Sequence, residues 1–420
     1  MKRNYFIVLL IFFVFFVISF LTNILGPLIP DIIKGFHLSL TLAGFLPFAF
    51  FIAYGVMSIP AGMLVERYGE KPVMVSAFAL AFVGAFVFAL FPYYAVAMFS
   101  LFLIGVGMAM LQVAINPLLR VAGGEEHFAF NSVLAQLVFG SASFLSPFLY
   151  SYLVRNLENA TSAQPWYIAL LRQIVPAHLP WVSLYWVFAL VTLLMVIILY
   201  LVHLPRVELQ EDEKAGAWQT HKELFKNKTV ILFFIGIFAY VGTEQGVANW
   251  ISKFLQTYHG FDPQTVGAHT VSLFWGLLTV GCLLGLLLLK LFDSRYVLIA
   301  FASAAIVALT FALFGSARTA LYAFPAVGFF ASVMWSVIFS LALNSLEKHH
   351  GAFSGILCTA IIGGAIVPVI IGWLGDHFGL RTGMMFLYLT LGYILSVGFW
   401  ARPLITNETF RSKKEKQAVA

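Results

Sequence analysis

The chain alternates long apolar runs with short polar breaks. Mainly apolar runs occupy roughly 5–30, 41–65, 72–91, 95–119, 128–153, 181–203, 229–255, 265–290, 296–315, 319–345, 352–375 and 382–402. Each is about as long as the ~20 residues a helix needs to cross a hydrocarbon core, or longer. The pattern predicts an all-α membrane protein with twelve transmembrane helices embedded in a lipid bilayer. The first run is too long for a signal-peptide core and counts as a span.

One break is unlike the others. The charged stretch "HLPRVELQEDEKAGAWQTHKELFKNK" follows the sixth run. It divides the chain into a six-helix bundle over 1–203, a linker over 204–228, a second six-helix bundle over 229–403 and a tail over 404–420. The two bundles read as repeats. Gly105 to Gln112 and Gly328 to Trp335 share one offset in small-residue-rich runs, and Pro147 and Pro368 sit in the fifth and eleventh runs. Parallel six-helix repeats with a site at their midplane interface are a known transporter architecture.

Composition narrows the class. The chain is 61% hydrophobic and 10% charged, whereas soluble domains carry roughly 25% charged residues. A soluble fold is therefore excluded. The net charge of +6 raises the question of nucleic acid, and the positions of the charges answer it. With both termini and the linker on one side, that side holds 18 of the 24 Lys and Arg residues and the other side holds 6. The positive-inside rule then places both termini in the cytoplasm, and no nucleic-acid partner is needed. Cys282 and Cys358 lie in apolar runs and read as packing residues. His349 and His350 are adjacent, which suits no shared metal site on a helix face. No metal cluster, cofactor motif or nucleophile–base arrangement appears, so the expectation is that the chain is not an enzyme.

The remaining chemistry is concentrated. Of 18 acids, Glu244 in "YVGTEQGVANW" is the one placed deep in a run. A charged side chain there costs at least ~2.5–3.5 kcal/mol, and an intramembrane acid marks a functional site by default. Three readings compete: a proton or cation carrier, a fixed acceptor for ligand hydroxyls, or a structural pin for its helix. Other deep polar residues are amides: Asn23, Gln112, Asn116, Gln136, Gln245 and Asn249. Gln112 and Asn116 share a helix face, as do Gln245 and Asn249. Asn116 precedes Pro117, which frees the Val113 carbonyl, so Asn116 serves either backbone or ligand. Trp275 and Trp335 are the aromatic candidates. Neutral donors and acceptors beside an aromatic surface are what a sugar needs.

After the second run comes "GMLVERYGEK". Gly62 allows close approach, Gly69 can take a positive φ, and Glu66, Arg67 and Lys71 can pair with helix ends to hold a gate shut. The loop after the eighth run keeps only Asp293 and Arg295 of this pattern. The spacing at 62–71 resembles the signature loop of the major facilitator superfamily. "LQVAINPLL" (111–119), "FAYVGTEQGVANW" (238–250) and "AFSGILCTAIIGGAIVPVIIGWLGDHFG" (352–379) resemble the fourth, seventh and eleventh spans of its fucose:proton symporter family, nearest the glucose/galactose branch.

The resemblance implies the major facilitator fold. It also implies a monosaccharide importer, usually proton-driven, in a bacterial inner membrane. This chain departs from the fucose branch at two acids. Asn23 stands at the first-span Asp position and Gln112 at the fourth-span Glu position. An amide cannot carry a proton, which leaves Glu244 for that role. The expectation is a secondary active transporter, working as a monomer, that imports a hexose or deoxyhexose by alternating access coupled to protons through Glu244. Alternatives are an uncoupled facilitator, a sodium-coupled symporter and a non-transporting sugar sensor.

Overall fold

The computed structural model describes residues 5–123, 128–159, 165–204 and 218–404. Among them, twelve helices are long and apolar enough to cross a membrane. Spans 1 to 6 are Tyr5–Phe36, Leu40–Tyr68, Glu70–Leu90, Tyr94–Ile115, Asn131–Glu158 and Pro180–Leu201. Spans 7 to 12 are Lys228–His259, Pro263–Leu291, Ser294–Phe314, Ala317–Leu343, His350–Phe378 and Leu380–Trp400. The linker meets the bundles on the face where span 1 begins and span 12 ends; we call it the linker face.

Three spans outrun their apolar runs by four residues or more at one end: span 1, span 5, which reaches Glu158, and span 7. Span 1 continues past Pro30 to Phe36: in its second segment Pro27 falls in the first turn, where a missing N–H costs nothing, while Pro30 lies inside the helix and forgoes one backbone bond. Span 7 continues to His259, where Gly260 takes φ 68° and closes the helix.

The six-helix repeat is visible in backbone packing. Gly105 of span 4 lies against the Phe50 carbonyl of span 2, and Gly328 of span 10 against the Phe274 carbonyl of span 8. A methyl group at either position would drive two helices apart.

Three spans are interrupted near mid-depth. Span 1 breaks between Tyr5–Thr22 and Leu25–Phe36. Span 10 breaks between Ala317–Ala331 and Met334–Leu343. Span 11 passes through a 3-10 turn at Ala360–Ile362. Irregular backbone at this depth is tolerated only inside protein or along a cavity wall.

The bundles meet through spans 2 and 11, 5 and 8, and 1 and 7. On the face opposite the linker they are joined by hydrogen bonds. The Asp376 carboxylate, at the end of span 11, accepts from the backbone N–H groups of Leu40 and Thr41 at 2.8 Å each and from the Thr41 hydroxyl at 2.5 Å. These groups open span 2, and a carboxylate is favourable at a helix N-terminus. Nearby, Gln264 of span 8 donates to Asp31 at 3.3 Å and to Glu158 at 3.2 Å, and Tyr150 donates to Asp31 at 2.5 Å.

The predicted gate residues at 62–71 lie on the linker face. Gly62 is in the last part of span 2, and Gly69 (φ 83°) makes the turn into span 3. Glu66 is exposed, and the Arg67 guanidinium lies 5.2 Å from the Tyr68 ring centroid. Lys71 donates to the carbonyls of Tyr200 and Val202 at 2.9 and 2.7 Å, closing the end of span 6. The Asp293–Arg295 pair is local. Asp293 caps span 9 and meets Arg295 at 3.0 Å. Partial burial pushes the Asp293 carboxyl up, but the Arg295 side chain and backbone N–H outweigh it and hold it below the ordinary carboxylate value.

A better copy of the 62–71 pattern stands at Gly372, Asp376, Gly379 and Arg381. Its spacing matches Gly62, Glu66, Gly69 and Lys71, and Gly379 has φ 86°. It lies on the face opposite the linker, with its carboxylate engaged. Hydrogen bonds to charged groups are worth ~1.5–3 kcal/mol each. Asp376→Ala is therefore expected to loosen that face. Spin labels at the Leu40 end of span 2 and the Phe378 end of span 11 should move apart by double electron–electron resonance. An unchanged distance distribution would show that the seal does not depend on this carboxylate.

Candidate functional site

A cavity of about 690 Å³ lies between the bundles. This is within the ~300–1,000 Å³ typical of small-molecule sites. It begins at the level of the helix breaks, and Asn23, Ser332, Val333 and Ile361 line it. It extends to the linker-side ends of spans 8 and 10, where Leu289, Leu343 and Asn344 form its mouth. The opposite end is sealed by the contacts around Asp376 and Gln264. The chain is thus caught open toward the linker face.

Of the sequence-predicted residues, Asn23, Gln112, Gln136, Glu244, Gln245, Trp275 and Trp335 all line this cavity. They come from spans 1, 4, 5, 7, 8 and 10. Asn249 does not line it. It is buried one turn beyond Gln245, and its side-chain amide donates to Gln245 Oε1 at 3.4 Å. The side chain of Asn116 lies outside the described residues.

Glu244 sits 16 residues into span 7, ~24 Å along the helix at 1.5 Å per residue. Its carboxyl group is half-buried and fully partnered within its own span. The Tyr240 hydroxyl donates to Oε2, and Gln245 Nε2 donates to Oε1 at 3.1 Å. Lys253, the nearest cation along the helix, donates instead to Gln256 at 3.0 Å.

From Glu244 a polar chain crosses between bundles. Gln245 Nε2 also reaches Asn23 Oδ1 at 3.5 Å, and Asn23 Nδ2 donates to Ser143 Oγ at 2.8 Å. Ser143 and Ser19 share a hydrogen bond of 2.6 Å. One wall of the cavity is aromatic. The Trp335 ring is 6.0 Å from Tyr240 and stacks on Phe339 at 5.7 Å. The break in span 10 falls just before Met334, one residue ahead of Trp335. On the lining residues Ser132, Ser332 and Trp275, the side-chain donors have no acceptor among the described residues.

Sequence reasoning missed Tyr240, Tyr54 and Ser143. Tyr240 is one helical turn before Glu244, so the i, i+4 rule places it on the same face. Tyr54 donates to Gln112 Oε1 at 3.5 Å. No local signal separates Ser143 from its neighbours in a small-residue stretch, and only the contact between spans 5 and 1 that it makes with Asn23 identifies it.

The sequence profile of the Major Facilitator Superfamily matches residues 11–361. The glucose/galactose transporter of Brucella abortus is 32% identical over 389 residues, covering 91% of each chain. The L-fucose-proton symporter of Escherichia coli is 24% identical over 388 residues, covering 87% of this chain and 86% of that one. A crystal structure of the E. coli fucose:proton symporter superposes with a TM-score of 0.68 at 22% identity, covering 94% of this chain and 98% of that one.

Cys282 lines the cavity beside Glu244 and donates to the Ser332 carbonyl at 3.3 Å, whereas Cys358 is off its wall. Ser340 lines the passage between Cys282 and the mouth. N-ethylmaleimide is therefore expected to modify Cys282, and Ser340→Trp should slow that modification several-fold while leaving Cys358 unaffected. Mass spectrometry of the labelled protein reads both thiols, and equal slowing of the two would contradict the geometry.

Proposed function

This chain belongs to the Major Facilitator Superfamily, and from that premise we propose that it imports a hexose or deoxyhexose by alternating access, coupled to protons through Glu244. It is a multi-pass membrane transporter and not an enzyme. The observation that carries the coupling reading is the placement of Glu244: a carboxyl group at mid-span, on the wall of a cavity between two bundles. A carboxyl group can exchange a proton where the amides Asn23 and Gln112 cannot.

The sugar reading rests on the surrounding chemistry. The amides Asn23, Gln112, Gln136 and Gln245 from four spans, hydroxyl and indole donors without an acceptor among the described residues, and the Tyr240–Trp335–Phe339 aromatic wall suit a ligand with many hydroxyls and an apolar ring face. The names of the relatives support the same class. We place the linker face and both termini in the cytoplasm of a bacterial inner membrane, on the excess of Lys and Arg on that side. The cavity then opens inward, as in the state that releases cargo. The bundles would rock about the site as a monomer, with the 62–71 loop gating the cytoplasmic face. Uncoupled facilitation is the second reading, favoured by the amides at positions 23 and 112.

The test is uptake of labelled hexoses into proteoliposomes, with and without an inward proton or sodium gradient. The expected result is proton-driven accumulation. Glu244→Gln should abolish accumulation while sparing exchange of internal for external sugar. Accumulation that survives in Glu244→Gln removes the coupling role, and accumulation driven only by sodium replaces the proton.

A further inference from the structure

Glu244 has two oxygens and two different neighbours. Oε1 faces the Gln245 amide nitrogen, which can only donate. Oε2 faces the Tyr240 hydroxyl, which can donate or accept. A proton on Oε1 would point one donor at another. A proton on Oε2 requires only that the Tyr240 O–H turn about its C–O bond. Gln245 therefore selects the oxygen that is protonated, and Tyr240 is the group that must respond.

The response changes what the cavity offers. With Glu244 ionised, the single hydrogen of Tyr240 is committed to the carboxylate. With Glu244 protonated on Oε2, the acid donates to the Tyr240 oxygen and the phenolic hydrogen is released from it. Tyr240 lines the cavity, and its ring is 6.0 Å from Trp335. The released hydrogen turns away from Glu244, toward the space a ligand fills against that aromatic wall. No other atom moves, and the only species taken up is one proton.

We propose that Tyr240 is the residue through which proton and sugar binding are linked: its hydroxyl donates to the sugar only when Glu244 holds a proton. The inference deepens the coupling role of Glu244 and rests on it. Linkage is reciprocal. Protonation tightens sugar binding, and bound sugar, by holding the Tyr240 hydrogen, retains the proton on Glu244. The carrier is thereby biased toward holding both or neither, the direction symport requires.

The other titratable groups near the pair do not supply the switch. Among the described residues, the ionisable side chains lining the cavity are Glu244, Tyr240, Tyr54 from span 2 and Cys282 from span 8. Cys358 of span 11 lies near Tyr54. Spans 1, 4, 5 and 10 contribute only amides, hydroxyls and apolar groups to the described lining. Glu244 is the only carboxyl group in the set.

The experiment is equilibrium binding of D-glucose and D-galactose, each titrated by calorimetry across a pH series, on four proteins. In the wild type, affinity should rise toward acid pH by a factor of about ten, the size of one good neutral hydrogen bond. Glu244→Gln mimics the protonated acid, because its amide can donate to the Tyr240 oxygen. It should hold the tight affinity at every pH. Tyr240→Phe keeps the ring against Trp335 and removes only the hydroxyl. It should hold the weak affinity at every pH, and the double variant should match it. If Glu244→Gln is flat with pH but Tyr240→Phe keeps the wild-type dependence, this inference falls and the coupling role of Glu244 stands. If Glu244→Gln itself keeps the pH dependence, the proton resides elsewhere and both fall.

Discussion

The bilayer core offers no water, so each polar group at mid-depth must find its partner inside the protein or on a wetted cavity wall. This constraint organises the molecule. An unsatisfied amide or hydroxyl in hydrocarbon costs several kcal/mol, and three spans interrupt their backbone at that depth. All three interruptions fall on the cavity wall. The deep amides are gathered there too, on spans whose outward surfaces are almost wholly apolar. The chain from Glu244 through Gln245 and Asn23 to Ser143 and Ser19 satisfies side chains from spans 7, 1 and 5 at once. Polar partnering and bundle contact are thus the same set of bonds, so a change in one is felt in the other.

A transporter must also come apart on either face at modest cost, since exchanging states lie within a few kcal/mol of each other. The closed face is built accordingly. It is held by one carboxylate on a helix N-terminus and a few polar contacts around Gln264. Three charge-assisted bonds would bias the molecule strongly toward this state if nothing replaced them in the other. The 62–71 loop has the same spacing of glycine, acid, glycine and base on the opposite membrane face. Each pattern sits at the end of a span that packs against the other bundle, span 2 in one case and span 11 in the other. The parts for a compensating seal are therefore present where alternation needs them.

Much of this was legible in the sequence. Hydropathy alone delimits the twelve spans, because length and apolarity are what the bilayer selects. Glu244 stands out by the same logic, as a charge where none is expected. Seven of the nine predicted lining residues reach one cavity because deep amides have few other places to go. What was not legible depends on distances between segments far apart in the chain. Asp376 reads as a helix-end acid until span 2 is seen to begin beneath it, 336 residues earlier in the chain. The match of 372–381 to 62–71 is visible as spacing, but the eye looks for it after span 8, where repeat symmetry would put it. Asn249 shares a helix face with Gln245 yet lies off the cavity wall, because a shared face does not say which of two amides stands nearer the cavity.

Those distances also explain how coupling can sit on span 7 in a chain that has amides at Asn23 and Gln112. Span 7 touches span 1 at the depth of the site, where Gly26 lies against the Ala248 carbonyl. Gln245 is shared between Glu244 and Asn23. An amide at position 23 gives up proton exchange but keeps both a donor and an acceptor. Asn23 can therefore accept from Gln245 while donating to Ser143, whereas an ionised carboxylate would accept from both and compete with Ser19 for the Ser143 hydrogen. The amide holds the inter-bundle bond independently of pH, and the pH-sensitive group stands one residue away. On the proposed coupling, separating the two tasks would let the proton state of Glu244 act on Tyr240 and the ligand without breaking the Gln245–Asn23 bond between the bundles.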